Sequence, residues 1–302
     1  MKKTITTLLL LCTMVWGAQA QLLYKISGNG LAKPSYIIGT YHLANVNFVH
    51  SIPGLKKALK KTTQVYGELN MDDMKTPENM RKMQQATLLP QGQKLSALLT
   101  DDQLKRLNAY LLTAIGTNMS NPAVGRQIDA MLPAALSTQL VMLLYTNKFK
   151  GDFDPQHPFD TYFQTQARAN HKYVGGLETL DFQMNLLYKS SPLERQIEML
   201  MCLIDNVEFS ERVAERITKA FYAQDLVELE KAVNEKLHNS CDSSPEEEDR
   251  MIYNRNADWI KKMPALMAQK PTFFAVGVAH LPGDRGVLQL LRNAGYTVKG
   301  VK

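Results

Sequence analysis

Ser35-Tyr36-Ile37-Ile38-Gly39-Thr40-Tyr41-His42-Leu43 and, near the other end of the chain, Thr272-Phe273-Phe274-Ala275-Val276-Gly277-Val278-Ala279-His280-Leu281 are two versions of one pattern. Each is an apolar run that reads as a buried strand, and each ends in Gly-x-x-His-Leu. A glycine there permits a sharp turn, a positive φ or the close approach of another group. The turn then projects the histidine from the carboxyl end of its strand, where ligands sit in open α/β sheets.

Two further apolar runs end in carboxylates. Val65-Tyr66-Gly67 is followed by Glu68, and Tyr173-Val174-Gly175-Gly176-Leu177 by Glu178. If all four strands are parallel in one sheet, two imidazoles and two carboxylates converge on one rim. Two histidines and a carboxylate suffice to hold Zn, Mn, Co or Fe(II) and leave positions open for water and substrate. A single Gly-x-x-His is a weak signal, and a lone glutamate is more often solvated or salt-bridged than catalytic. The repetition in matching strand contexts carries the weight. His50, His157, His171 and His238 have no such context and read as surface or helix-flanking residues.

Outward from these strands the chain is mostly helical. Residues 51–61 read as a helix and 63–69 as a strand. Helical spacing then covers 96–114, with Thr100-Asp101-Asp102 as a cap-like start to its second part, and continues over 122–145 and 159–170. Lys172–Gly176 returns to strand. Pro192–Leu237 and Pro245–Met263 are again helical, and the polar, acidic stretch 238–248 reads as a mobile loop. A strand at 272–276, a helix at 286–293 and a strand at 296–301 close the chain. Strands separated by helices predict an α/β fold with a mixed or parallel sheet. The helical middle, about 95–262, reads as an insertion capping one sheet edge.

Composition narrows the class. The chain has 35 Lys+Arg against 29 Asp+Glu, a net charge of +6, and the basic residues are dispersed. That distribution lacks the footprint of a nucleic-acid binder. Lys2 and Lys3, the apolar Leu8–Trp16 and Ala18-Gln19-Ala20 predict a signal peptide over residues 1–20, cleaved after Ala20. Cys12 raises lipoprotein processing, but Leu11 stands where a small residue is wanted. The run from Met131 to Tyr145 is broken by Pro133, Ser137, Thr138 and Gln139, the profile of a core helix and not a membrane span. An exported chain without a second span is expected to be periplasmic or secreted. Cys202 and Cys241 could pair in an oxidising compartment, or Cys202 could simply be core; the sequence leaves both open.

Taken in order, these motifs resemble the TraB/GumN family, whose best-known relatives are the Tiki metalloproteases. The resemblance runs from Leu23-Tyr24-Lys25-Ile26 and the first Gly-x-x-His through Pro53–Leu59 and Glu68. It continues in Phe159-Asp160, in Gly176-Leu177-Glu178-Thr179 and in Arg255-Asn256 with Trp259 a turn later, and is densest over Phe273–Val298. It implies two similar βα halves around a central mixed sheet. It also implies a divalent-metal site (Mn, Co or Zn) held by His42, His280 and Glu68. Arg255 would then steady anionic charge with its forked guanidinium, or else pair with Asp249 or Asp258 on its own helix. Asn256 would orient a ligand or brace a loop, and Glu178 would be an outer partner or further ligand. Gly39 and Gly277 shape the turns.

The leading expectation is therefore an exported metal-dependent hydrolase acting on a peptide or on a small amide or ester. A haem-, iron- or peptide-binding protein that holds its ligand without turnover is the alternative. An esterase with a metal-free histidine base is a third.

Overall fold

A computed structural model describes residues 21–150 and 152–302; the expected signal peptide, with Cys12, lies outside the described residues. Six strands are present: β1 (Leu23–Ser27), β2 (Ser35–Thr40), β3 (Gln64–Gly67), β4 (Tyr173–Gly176), β5 (Thr272–Gly277) and β6 (Thr297–Gly300). They lie in one sheet in the order β4-β3-β5-β2-β1-β6. The two Gly-x-x-His strands are neighbours. β5 is parallel to β2, with Ile37 opposite Phe274 and Thr40 opposite Gly277. It is also parallel to β3 on its other side, and β4 continues the parallel set. All four strands that precede a histidine or glutamate thus run the same way. β1 pairs antiparallel with β2 and with β6, which makes the sheet mixed.

β2 is buried along its whole length and β5 up to Gly277. This is why both read as unbroken apolar runs and not as alternating ones. Tyr36, Ile38, Phe273 and Ala275 face one core with Phe159, Phe163 and Phe221. Ile37, Phe274 and Val276 face the other with Trp259, Met263 and Leu291. The helices Phe159–Ala169 and Asn254–Gln269 cover these two faces. The helical middle also builds a third core, in which Leu107 and Leu111 pack with Leu136, Leu140 and Leu200.

Helix ends follow local chemistry. Thr100 starts Asp101–Ile115 with a reciprocal cap, its hydroxyl accepting from the Gln103 amide while the Gln103 side chain accepts from the Thr100 amide. The helical stretch expected over 122–145 divides into Pro122–Asp129 and Pro133–Lys148, each with proline in its first turn, where the missing N–H costs nothing. Pro192–Leu237 divides into Leu193–Asp205, Val207–Tyr222 and Leu226–Val233. No helix among the described residues is long and apolar enough to cross a membrane.

The stretch 238–248 differs from its expectation as a loose loop. Cys241 forms a disulfide with Cys202. The Asp242 carboxylate accepts from the amides of Leu237 and His238. Arg195 donates to the carbonyls of Ser240 and Asp242. The polar residues that suggested solvation are committed to fixing the segment's own backbone.

The disulfide closes a loop with a sequence separation of 39. The chain-entropy relation gives such a loop about 4 kcal/mol of stabilisation. The double substitution Cys202→Ser, Cys241→Ser is expected to lower Tm by roughly 10 °C with far-UV circular dichroism unchanged. An unaltered Tm, in the variant or under reducing conditions, would show that the crosslink adds no stability.

Candidate active site

The strand ends deliver their side chains to one rim. Glu68 leaves β3 after Gly67, and Glu178 leaves β4 after Gly176-Leu177. Thr179 caps the helix that follows by accepting from the Phe182 amide. β5 ends at Gly277 and passes into a single 3-10 turn, Val278–His280, which points the His280 ring inward, where it is buried.

Neither Gly39 nor Gly277 has a positive φ; their role is close approach. A Cβ on Gly39 would stand 2.7 Å from Val278 Cγ2, and one on Gly277 would stand 3.1 Å from Glu68 Oε1. The two turns can lie against each other because these positions carry no side chain.

Arg255 is the hub. A π-helical turn, Asp249–Tyr253, leads into the helix Asn254–Gln269 and sets its guanidinium beneath the strand ends, with the side chain 8% exposed. Nη2 donates to Glu68 Oε2 at 2.6 Å and to Glu178 Oε2 at 2.9 Å. Nε donates to Glu178 Oε1 at 2.8 Å, and Nη1 donates to His280 Nε2 at 3.0 Å and to the Met251 carbonyl. The same-helix pairing weighed from sequence is absent: Asp249 pairs with Arg285 and Asp258 with Lys261. Glu178, far from solvated, also accepts from the Trp259 indole at 2.8 Å.

His280 donates from Nδ1 to Asn256 Oδ1 at 2.7 Å, while Asn256 Nδ2 donates to the carbonyl of Arg285. That fixes the tautomer and leaves the Nε2 lone pair as the acceptor for Arg255 Nη1. The ring lies 4.4 Å from that of Trp259. Burial, with the Arg255 charge adding, pushes His280 down to about 4, so it is neutral at pH 7. Burial opposes ionisation of Glu68, yet the charges of His280 and Arg255 and the Gly277 amide, which donates to Oε1 at 2.8 Å, hold it down to about 2. With His280 neutral, Arg255 and that amide carry this effect.

His42 stands at the mouth, its side chain 74% exposed, with Nδ1 2.5 Å from Asp160 Oδ2. The Asp160 carboxylate raises it to about 9. His42, Glu68, Arg255 and His280 all line one cleft of about 360 Å³, roofed by Leu186, Leu187 and Met251 from the helical middle.

Sequence reasoning missed two residues here. Asp160 was visible only as part of a motif, in the first turn of its helix. Gln183 donates to both Glu68 and Glu178; its one signal is a polar side chain among Phe182, Met184, Leu186 and Leu187.

Among the described residues no three His, Cys, Asp or Glu side chains are gathered as a ready ligand set. The chemistry of the donors nonetheless fits a divalent ion. His280 Nε2 and Glu68 Oε1 are 3.9 Å apart. Both histidines have Nδ1 engaged by an outer acceptor, Asn256 or Asp160, as metal-bound histidines do. Glu68 and Glu178 also bring two negative charges against the single charge of Arg255.

Comparison with known proteins gives the family. The profile of the TraB/PrgY/gumN family matches residues 22–300. The chain belongs to that family. As a TraB/PrgY/gumN member it is 24% identical to a protein named metalloprotease TIKI homolog from Nematostella vectensis, over 89% of this chain and 65% of that protein. It is 24% identical to metalloprotease TIKI2 of Danio rerio (88% and 58%) and 23% identical to metalloprotease TIKI1 of Homo sapiens (88% and 59%). It thus spans about three-fifths of the length of these relatives. No solved structure matches the chain significantly.

Arg255→Met leaves two carboxylates without their shared cation. Breaking a buried pair in this way costs about 3–5 kcal/mol, to be read as a lower denaturant midpoint. Arg255→Lys restores the charge but not the fork and should recover only part of the loss. Wild-type stability in Arg255→Met would remove Arg255 from the centre of the site.

Proposed function

We propose that the protein is an exported, divalent-metal-dependent hydrolase acting as a peptidase. The observation that carries this reading is the adjacency of the two Gly-x-x-His strand ends, which puts His42, His280, Glu68 and Arg255 on one cleft. His42, His280 and Glu68 would hold the ion. The ion, Mn, Co or Zn, would supply a polarised carbonyl and an activated water.

The chain's own groups do the rest. Asn256 and Asp160 orient the two imidazoles through Nδ1. Arg255 and the Gly277 amide keep Glu68 anionic, as a ligand or proton acceptor must be. Arg255 Nη1 is the donor able to turn toward a developing oxyanion. Leu187, Val233 and Met251 give the cleft apolar walls suited to a peptide or a small amide or ester. The names of the TIKI relatives support the peptidase form of the reaction.

Export rests on the leader-like residues 1–20 and on the Cys202–Cys241 disulfide, a bond favoured in oxidising compartments. The mature protein is expected in the periplasm or secreted, with Gln21 as its first residue by amino-terminal sequencing. An intact Met1 on the purified protein would remove the export reading.

A second reading rests on the His42–Asp160 pair. A histidine so oriented by a carboxylate is the arrangement of a metal-free general base, as an esterase would need. With Asp160 raising it to about 9, its base form is populated at alkaline pH. Chelation separates the two. The metal reading expects a chelator to abolish peptide hydrolysis and Mn, Co or Zn to restore it. It also expects His42→Ala and His280→Ala each to lose bound metal by mass spectrometry while staying folded. Chelator-resistant turnover selects the esterase reading, and full metal content in either variant refutes the ligand assignment.

A further inference from the structure

A second cavity of about 340 Å³ lies beside the cleft, and Leu186, Leu187 and Met251 belong to the walls of both. Its lining holds two arginines in opposite circumstances. Arg195 is saturated: it donates to both oxygens of Glu247, to Glu198 and to two backbone carbonyls. Arg250 belongs to the π-helical turn that leads to Arg255, and its Nε is shut off from solvent with no hydrogen-bond partner. Glu246 and Glu247 feel the Arg250 charge but accept no hydrogen bond from it, and their own bonds go elsewhere, Glu246 to the Ser244 hydroxyl. Glu247 holds Arg195 and caps Ser244, and Asp249 pairs with Arg285. The Ser137 hydroxyl, in the same cavity, is also buried without a partner.

Buried polar groups are normally satisfied, and each exception calls for a cause. A guanidinium in a cavity with no acceptor at its Nε is placed to take an anion, and its planar fork matches a carboxylate with two parallel hydrogen bonds. The residues shared with the cleft, Leu186, Leu187 and Met251, are apolar and suit an aliphatic stretch of a ligand. Resting on the peptidase reading, we infer that this cavity is a substrate subsite. Arg250 takes a carboxylate of the bound peptide, while Leu186, Leu187 and Met251 hold the apolar stretch that leads to the scissile bond. Arg250 is thus a specificity-determining residue, and the preferred substrates are peptides with a free carboxylate near the bond that is cut. That carboxylate comes from the peptide's carboxyl terminus or from an internal Asp or Glu.

The test offers the purified protein matched libraries of short peptides: carboxyl-terminal acids, the corresponding amides, and amides in which internal Asp and Glu are kept or replaced by Asn and Gln. Retention on immobilised protein is read by mass spectrometry, separately from cleavage. The wild type should retain carboxylate-bearing peptides about tenfold better than neutral ones, and the library that shows the preference identifies its source. Arg250→Gln should erase the preference without changing the retention of neutral peptides. It should also change Tm little, since no hydrogen bond of the folded chain is lost with the guanidinium. Equal retention of acidic and neutral peptides by the wild type, or a preference that survives Arg250→Gln, overturns the subsite and leaves the hydrolase reading standing. Carboxylate-selective retention without cleavage keeps the subsite and removes the hydrolase reading.

Discussion

A guanidinium cannot shed its charge, so once Arg255 is taken beneath the sheet rim it must be met by acceptors from several directions. Glu68 comes from the end of β3, Glu178 from beyond β4, and His280 from the turn after β5. These groups are distant in sequence, and the requirement to surround one cation fixes their relative positions. The helix carrying Arg255 is held in turn: Asn256 braces the His280 turn, and Trp259 packs against the ring while bonding Glu178. Moving any one of these elements leaves an ionised group in a dry setting without a partner, at a cost of kilocalories.

The same hub explains how the donors are poised. Arg255 donates to His280 Nε2, to one oxygen of Glu68 and to both oxygens of Glu178, yet its single charge falls short of the two it faces. The cleft thus keeps an excess of carboxylate charge while its polar groups stay satisfied. Close approach of the two turns depends on Gly39 and Gly277, where backbone and neighbouring side chains occupy the space a Cβ would need. The glycines of the motif are thus a packing requirement and not a torsional one.

What the sequence disclosed and what it withheld divide along physical lines. The two Gly-x-x-His strands were legible because burial on both faces leaves an unbroken apolar signature, and the shared strand direction of β2, β3, β4 and β5 followed from the helices between them. Glu68 and Glu178 were legible as strand-end carboxylates, but not as partners of Arg255. Local spacing offered Asp249 and Asp258, whereas the true acceptors come from strands that only the fold brings near. Asp160 and Gln183 stayed hidden for the same reason, since a long-range side-chain bond leaves no periodic trace. The segment 238–248 was misleading because polar residues that bond their own backbone have the same composition as residues that bond water.

The strand order carries a further implication for how the chain folds. β5, the fifth strand in sequence, lies at the centre of the sheet between β3 and β2, and β6 closes onto β1. Before β5 is available, β1–β2 and β3–β4 are isolated two-strand pieces, which are marginal in water. The sheet therefore cannot close until β5 and β6 are both free, and closure must then join strands far apart along the polypeptide, a slow step. Until that step the open edges of β2 and β3 stay available for wrong pairing, which makes β5 the strand whose arrival protects the sheet.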